Sequence, residues 1–130
     1  MRKMKRHGNT FFVIKNNPYV ENALAWVGNI YIDESFYNKL TSDALKHVLL
    51  HELGHLQLGH IGEGGLSEEI AADAFAFRNG STPGGALEAF KAAGNEYAEA
   101  ALQRAARWPA RRIINIYKNA ESLPKSQRTA

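Results

Sequence analysis

The feature that most constrains this chain is the stretch His51-Glu52-Leu53-Gly54-His55, which has the form H-E-x-x-H. Residues four apart on a helix are neighbours on one face, so a helix here would place two imidazoles side by side. Two such imidazoles suit one tetrahedral zinc ion, and Glu52 beside them suits a general base. A solvated helix that carries two histidines by chance is the alternative, and the rest of the sequence must decide between them.

Length and composition limit what can surround this motif. A chain of 130 residues with 45% hydrophobic residues predicts one domain, spanning residues 1–130, with one sizeable core. Because the chain has no cysteine, disulfides and thiolate ligands are excluded, and any metal must be held by His, Asp or Glu. No apolar run is long enough for a membrane span or a signal peptide. We therefore expect a soluble, cytoplasmic protein.

The net charge of +3 and the pI of about 9.3 come largely from the two ends of the chain. The basic residues concerned are Arg2, Lys3, Lys5 and Arg6, followed by Arg104, Arg107, Arg111 and Arg112. Such charge could attract nucleic acid, an anionic membrane or an acidic substrate, but solvated termini explain it more simply. No nucleic-acid-binding signature accompanies the charge, so we expect no nucleic-acid partner.

Upstream of the motif, the sequence predicts a small sheet. The expected segments are a loose, flexible arm over 1–9, a strand over 10–15, a β-hairpin around Gly28-Asn29 and a helical turn or loop over 35–40. The motif helix should begin with Thr41 or Ser42 as its cap and end near Gly59 or Gly62. Leu45, Leu49, Leu53 and Leu56 would form its apolar stripe, with His47, His51 and His55 on the adjacent face.

Downstream of the motif, the sequence predicts further helices. A second helix would be capped by Ser67, carry the apolar residues Ile70, Ala74 and Phe77 on one side, and end at Asn79-Gly80, before a loop over 81–85. Residues 86–107 read as helical with a break at Gly94-Asn95, and a last helix would begin near Pro109. Gly54 costs helix stability, which predicts that another element passes close to the backbone there.

The third metal ligand has four candidates in the sequence: His60, Glu63, Glu68 and Glu69. His60 does not fit the metzincin spacing, and Glu63 lies in a glycine-rich loop, which is a poor place for a precise ligand. Glu69 and Asp73 stand at the two ends of one helical turn, so Glu69 could bind the metal while Asp73 orients a ligating imidazole. Glu68 points about 100° away and is expected to face solvent.

The order of these segments resembles the gluzincin metallopeptidases, especially the HtpX-like and prenyl-protein peptidases and the small minigluzincins. The resemblance spans about residues 20–78, and the residues that carry it are Asn22-Ala23, residues 28–32, residues 51–60 and residues 69–73. It implies a minimal zincin-like α+β fold with a small mostly antiparallel sheet, an active-site helix, a glutamate helix and C-terminal helices. It also implies one catalytic Zn²⁺, and that Asn22 and the nearby strand hold an extended substrate.

The chain departs from that pattern near its C-terminal end. The membrane relatives carry transmembrane helices and a downstream His-Pro followed by Arg-Ile, whereas the comparable stretch here is Trp108 to Ile113, with tryptophan in place of histidine. The residue that stabilises the transition state is therefore open between Arg112, Tyr97 and Tyr117. The ImmA-like regulator peptidases also have H-E-x-x-H and a later glutamate-alanine helix, but usually carry Asn where Asp73 stands.

The hypothesis from the sequence is a zinc endopeptidase that acts on peptides or unfolded proteins. His51, His55 and Glu69 would hold the metal, and Glu52 would be the general base. The alternatives are an ImmA-like regulator peptidase, a non-catalytic zinc-binding partner domain and a basic nucleic-acid-binding protein. A flexible tail over 122–130 could cover the cleft of its own chain or of a neighbour, which would make the enzyme latent or self-associating. His47 either lines the cleft or is a polar helix-face residue, and His60 is assigned no catalytic role.

Overall fold

The structure is a computed structural model that describes residues 1–60, residues 65–94 and Arg104. The strands are β1 (Arg2–Arg6), β2 (Asn9–Ile14), β3 (Ala23–Trp26) and β4 (Asn29–Asp33). The helices are α1 (Glu34–Lys39), α2 (Ser42–Gln57), α3 (Leu66–Arg78) and α4 (Pro83–Ala93). These elements form an α+β fold, which confirms the predicted fold class. That residues 1–130 make one domain stays a prediction.

The four strands form one mixed sheet in the order β1-β2-β4-β3. Two of its three pairings are antiparallel, and the central pairing of β2 with β4 is parallel, with Phe12 opposite Tyr31. The β3–β4 hairpin turns at Val27 and Gly28, whose φ angles of +46° and +77° are those of a type I′ turn. The predicted hairpin is therefore confirmed, with its turn one residue earlier than expected.

The N-terminal residues differ from the sequence prediction of a loose arm. Arg2–Arg6 form the edge strand β1, in which Met4 lies opposite Phe11 and packs against the core. The charged residues around Met4 are exposed, and charged side chains are common on edge strands because they discourage pairing with other chains. The sequence did not predict this strand, because four of its five residues are basic and only Met4 packs against the core.

The core lies between the inner face of the sheet and α2. Phe11 and Ile32 from the sheet and Leu49 from α2 are each 0% exposed, and Leu53 and Leu56 pack partly buried against this cluster. The Thr41 hydroxyl caps α2 by accepting a hydrogen bond from the Ala44 amide at 3.2 Å. The predicted start and apolar stripe of the motif helix are confirmed. The helix ends at Gln57.

The helix α3 crosses α2 closely, with small residues at its buried face. A side-chain carbon on Gly54 would lie 3.1 Å from Cβ of Phe75, so the expected close approach to Gly54 is confirmed. The sequence predicted only that Ile70, Ala74 and Phe77 share one side of α3, and it made no prediction of which residues are fully buried. The fully buried residues are Ala72, Asp73 and Ala76, since small side chains permit this approach, and Ile70, Ala74 and Phe77 are only partly buried.

Two helix starts also differ from prediction. Gly65 precedes α3 with φ +106° and no side-chain cap, so Ser67 lies inside the helix rather than at its cap. The predicted loop over 81–85 is shorter, because α4 begins at Pro83 and Thr82 caps it by accepting from the Gly85 amide at 3.1 Å. Gly94, with φ +106°, ends α4 at the predicted break.

Several predictions lie outside the described residues. They are the helix from Pro109, the tail over 122–130, the ligand alternative Glu63, and the substrate or transition-state candidates Arg112, Tyr97 and Tyr117. Among the described helices, none has the length and apolar character needed to cross a membrane. The cytoplasmic location stays a prediction.

Candidate metal and active site

Side chains from α2 and α3 converge on one point beside the core. His51 and His55, in successive turns of α2, bring their Nε2 atoms to 3.0 Å from each other. Glu69, in the first turn of α3, places Oε2 3.0 Å from His51 Nε2 and Oε1 3.3 Å from His55 Nε2. The two imidazole nitrogens thus face each other and one oxygen each of the same carboxylate, and the three residues His51, His55 and Glu69 are called the triangle below.

This triangle suits a zinc ion. Two imidazole nitrogens and one carboxylate oxygen are a common donor set for catalytic zinc. With bonds of about 2.0–2.1 Å, the edges of a ligand tetrahedron are about 3.3 Å long. The two nitrogens lie 3.0 Å apart, and each lies 3.0 or 3.3 Å from the nearer oxygen of Glu69, which is close to that value. The described His and carboxylate residues here could hold a metal ion.

A buried carboxylate orients His51 from the other side. Asp73, which is 1% exposed, accepts a hydrogen bond from His51 Nδ1 to its Oδ1 at 2.8 Å. A neutral imidazole that donates from Nδ1 keeps the lone pair on Nε2, which is the atom in the triangle. The sequence prediction that Asp73 orients a ligating imidazole is thus matched by this contact, and the functional role itself is part of the proposal below.

Arg104 is the site residue that sequence reasoning missed. It donates to both carboxylate oxygens of Asp73, from Nε to Oδ2 at 2.9 Å and from Nη2 to Oδ1 at 2.6 Å. Its Nη1 lies 3.3 Å from Glu69 Oε2, and its guanidinium stacks 4.6 Å from the ring centroid of Phe90. The signal that could have found it is the need of the neighbouring carboxylates of Asp73, which is buried, and Glu69, which is half-buried, for a cation.

The charges in this cluster shift the ionisation of its members. Burial disfavours charged His51, but hydrogen bonds to Asp73 and Glu69 outweigh it and raise the pKa of His51 to about 9. Burial also opposes ionisation of Glu69 and Asp73. Hydrogen bonds from the histidines and the nearby Arg104 outweigh that effect and lower the pKa of both carboxyls. Without a metal, protonated His51 and the guanidinium of Arg104 therefore supply the positive charge that faces Glu69 and Asp73.

Glu52 borders a cleft next to the triangle. The cleft has a volume of about 150 Å³, and its lining includes Glu52, Glu69, Asn22 and Arg104. Glu52 is 8% exposed, and burial raises the pKa of its carboxyl, although charge on His51 and His55 opposes the shift. A carboxylate with a raised pKa is a stronger base, which suits a group that takes up a proton during a reaction.

Asn22 lies at the mouth of this cleft, where the chain enters β3. It adopts the left-handed region with φ +66°, and its carbonyl accepts a hydrogen bond from the Asp33 amide at 2.8 Å. The backbone is thereby held beside the cleft at the start of an edge strand. The predicted substrate-binding residue Asn22 is near the candidate ligands, whereas Arg112 is outside the described residues.

His47 is buried behind the triangle rather than within it. Its Nδ1 lies 2.7 Å from the Ser81 hydroxyl, and its Nε2 lies 3.5 Å from Asp73 Oδ1. Burial lowers the pKa of His47, against the opposing effect of Asp73. His47 also lines the cleft, so the structure favours the first of its two sequence interpretations.

His51, Glu52 and His55 form a group with metal-ligand spacing, and two further histidine–carboxylate groups adjoin it. His47, His51 and Asp73 form one, and Arg104 already donates twice to its carboxylate. His55, His60 and Glu68 form the other, at the end of α2. Glu68, expected to face solvent, is half-buried, with its Oε2 4.0 Å from His60 Nδ1.

A comparison with protein families adds the general class. The model of the family described as Peptidase U49 matches residues 16–83, which is just over half of the chain. The chain belongs to the peptidase U49 family. The matched span contains β3, β4 and the first three helices, and with them every member of the triangle as well as Glu52 and Asp73. No curated protein and no solved structure matches.

Membership of the peptidase U49 family makes a peptide or protein the expected substrate class. It supports the peptidase part of the sequence hypothesis and does not single out the HtpX-like type of gluzincin. The structure adds that Asn22, His51, Glu52 and Glu69 line one cleft, and that His55 and Asp73 contact Glu69 and His51 next to it.

Proposed function

We propose that this peptidase is a zinc-dependent endopeptidase of the gluzincin type. The observation that carries the proposal is the triangle of His51, His55 and Glu69: the two Nε2 atoms lie 3.0 Å apart, and each lies 3.0 or 3.3 Å from an oxygen of Glu69, beside the cleft lined by Glu52. These three residues would hold one zinc ion. When bound, zinc would supply a Lewis acid that polarises the scissile carbonyl and acidifies water.

Glu52 is the proposed general base. Its carboxylate accepts a proton from the attacking water while the water oxygen forms a bond to the carbonyl carbon. The same carboxyl then gives that proton to the amine nitrogen as the carbon–nitrogen bond breaks. The burial that raises the pKa of Glu52 favours both steps, because the group must hold the proton between them. A purely structural metal site would not need this residue.

The edge of β3 is the proposed substrate-binding strand. Within the described residues, β3 pairs with β4 alone, and its first residue, Ala23, lines the cleft together with Asn22. An extended peptide can add to such an edge through backbone hydrogen bonds. This mode requires an unfolded segment, which supports peptides and unfolded proteins as substrates.

Arg104 has a positioning role in this proposal. Three of its nitrogens are directed at Asp73 and Glu69, and its guanidinium plane covers Phe90. It therefore fixes the carboxylate that orients His51 and the carboxylate that would bind zinc. The transition-state roles predicted for Arg112, Tyr97 or Tyr117 remain separate candidates outside the described residues.

The direct test is cleavage of casein by full-length protein loaded with zinc, compared with chelated protein and with Glu52→Gln. The substitution keeps the size of the side chain and removes the proton acceptor. We expect cleavage only in the zinc-loaded wild type, and a loss of at least about 100-fold in Glu52→Gln with zinc content unchanged. Equal turnover by Glu52→Gln would show that Glu52 is not the base.

A further inference from the structure

We propose that His60 is a positioning residue for His55, accepting a hydrogen bond from His55 Nδ1 and so directing His55 Nε2 to the metal. This inference rests on the proposed function, because it assigns a partner to one of the proposed zinc ligands. His55 would thus be oriented by the imidazole of His60, as His51 is oriented by the carboxylate of Asp73.

The end of α2 is built to bring His60 back to His55. Gly59 adopts φ +73°, which reverses the chain just after the helix. The His60 amide then donates to the carbonyl of His55 at 2.9 Å, and His60 Nδ1 lies 2.8 Å from His55 Nδ1. Both side chains are largely buried, at 14% and 15% exposed. The backbone amide and the side chain of His60 therefore both contact His55.

The proton positions follow from counting donors and acceptors. A neutral imidazole has one N–H, and His55 Nε2 must keep its lone pair to complete the triangle with His51 and Glu69. The proton of His55 is therefore on Nδ1, and the facing atom, His60 Nδ1, must accept it. His60 then carries its own proton on Nε2. Ligating histidines commonly donate their other N–H in this way, and loss of that partner typically weakens metal affinity 10–100-fold.

A second metal ion shared by His55, His60 and Glu68 is the competing explanation of this cluster. It would require His55 to bind metal through both nitrogens at once, and so to lose both of its protons. The separation of 2.8 Å between the two Nδ1 atoms is a hydrogen-bond length, so a hydrogen bond explains the contact without a second ion. The geometry therefore favours the hydrogen bond.

The test measures zinc affinity and stoichiometry of the full chain by competition with a chromophoric chelator. His60→Ala removes the acceptor, whereas His60→Asn places an amide oxygen near the position of the lost Nδ1. Gln57→Ala is the matched control, since Gln57 is exposed on the last turn of the same helix. We expect one zinc per chain in the wild type, a 10–100-fold loss of affinity in His60→Ala, and recovery of most of that loss in His60→Asn.

The orientation of His55 can also be read directly. In the zinc-loaded wild type, nitrogen NMR should show the His55 proton on Nδ1 and the His60 proton on Nε2. Unchanged zinc affinity in His60→Ala would overturn the inference, and so would a second zinc ion that disappears in that variant. His55→Ala distinguishes a failure of the role of His60 from a failure of the proposed function, because full zinc binding in that variant would overturn the proposed function itself.

Discussion

The Nδ1 atom of His51 lies 2.8 Å from Oδ1 of Asp73, and this hydrogen bond links α2 to α3 beside the proposed metal site. The same oxygen receives Arg104 Nη2 at 2.6 Å. Asp73 therefore connects a proposed metal ligand with the guanidinium that also approaches Glu69. The geometry of the triangle depends on this buried carboxylate as much as on the ligands.

Replacing Asp73 by Asn should weaken zinc binding and destabilise the fold. The amide keeps the shape but removes the charge, which leaves Arg104 without its main counter-ion. We expect a 10–100-fold loss of zinc affinity and a loss of about 3 kcal/mol in unfolding free energy. Urea unfolding and chelator competition measure the two effects. Asp43→Asn, an exposed change in the first turn of α2, is the control, and equal values for both variants would contradict this role of Asp73.

Replacing Arg104 by Met should destabilise the metal-free protein more than the zinc-loaded protein. Without a metal, Arg104 is the main cation near Glu69 and Asp73 apart from protonated His51, whereas bound zinc supplies positive charge of its own. We expect a loss of about 3 kcal/mol in chelated protein and a smaller loss with zinc. Urea unfolding in both states, with the exposed Arg78→Met as control, checks this. The same loss in both states would argue against charge compensation.

The stability of the metal-free protein should fall between pH 7 and pH 9. The folded pKa of His51 is raised to about 9 from the ordinary value of 6.5, so protonated His51 stabilises the fold at low pH. This contribution is fully present below about pH 6.5 and is lost as the pH rises through 9, and it amounts to at most about 3 kcal/mol. Unfolding of chelated protein across this range measures it. His51→Asn should flatten the dependence, and an unchanged slope in that variant would assign the effect to another group.

The sequence was informative where the signal is local. The H-E-x-x-H spacing, the Thr41 cap, the hairpin around Gly28 and the leucine stripe of α2 each depend on residues close in the chain. Gly54 carried a longer-range signal, because its cost within a helix implied a neighbour, and Phe75 is that neighbour.

Other features could not be predicted because they depend on distant contacts. Arg104 lies 31 residues from Asp73 and looked like one of several C-terminal basic residues. The full burial of Ala72, Asp73 and Ala76 could not be predicted, because it depends on the close approach of α3 to α2. His60 failed the spacing test for a ligand, and only the chain reversal at Gly59 brings it onto His55.

The central claim is that His51, His55 and Glu69 together bind one zinc ion, and zinc content with affinity tests it most directly. Full-length wild type, Glu69→Gln and Glu52→Gln should be chelated, reloaded with zinc, dialysed and measured for bound metal. The account predicts one zinc per chain in the wild type and in Glu52→Gln, and little or none in Glu69→Gln. Full occupancy of Glu69→Gln with wild-type affinity would contradict it.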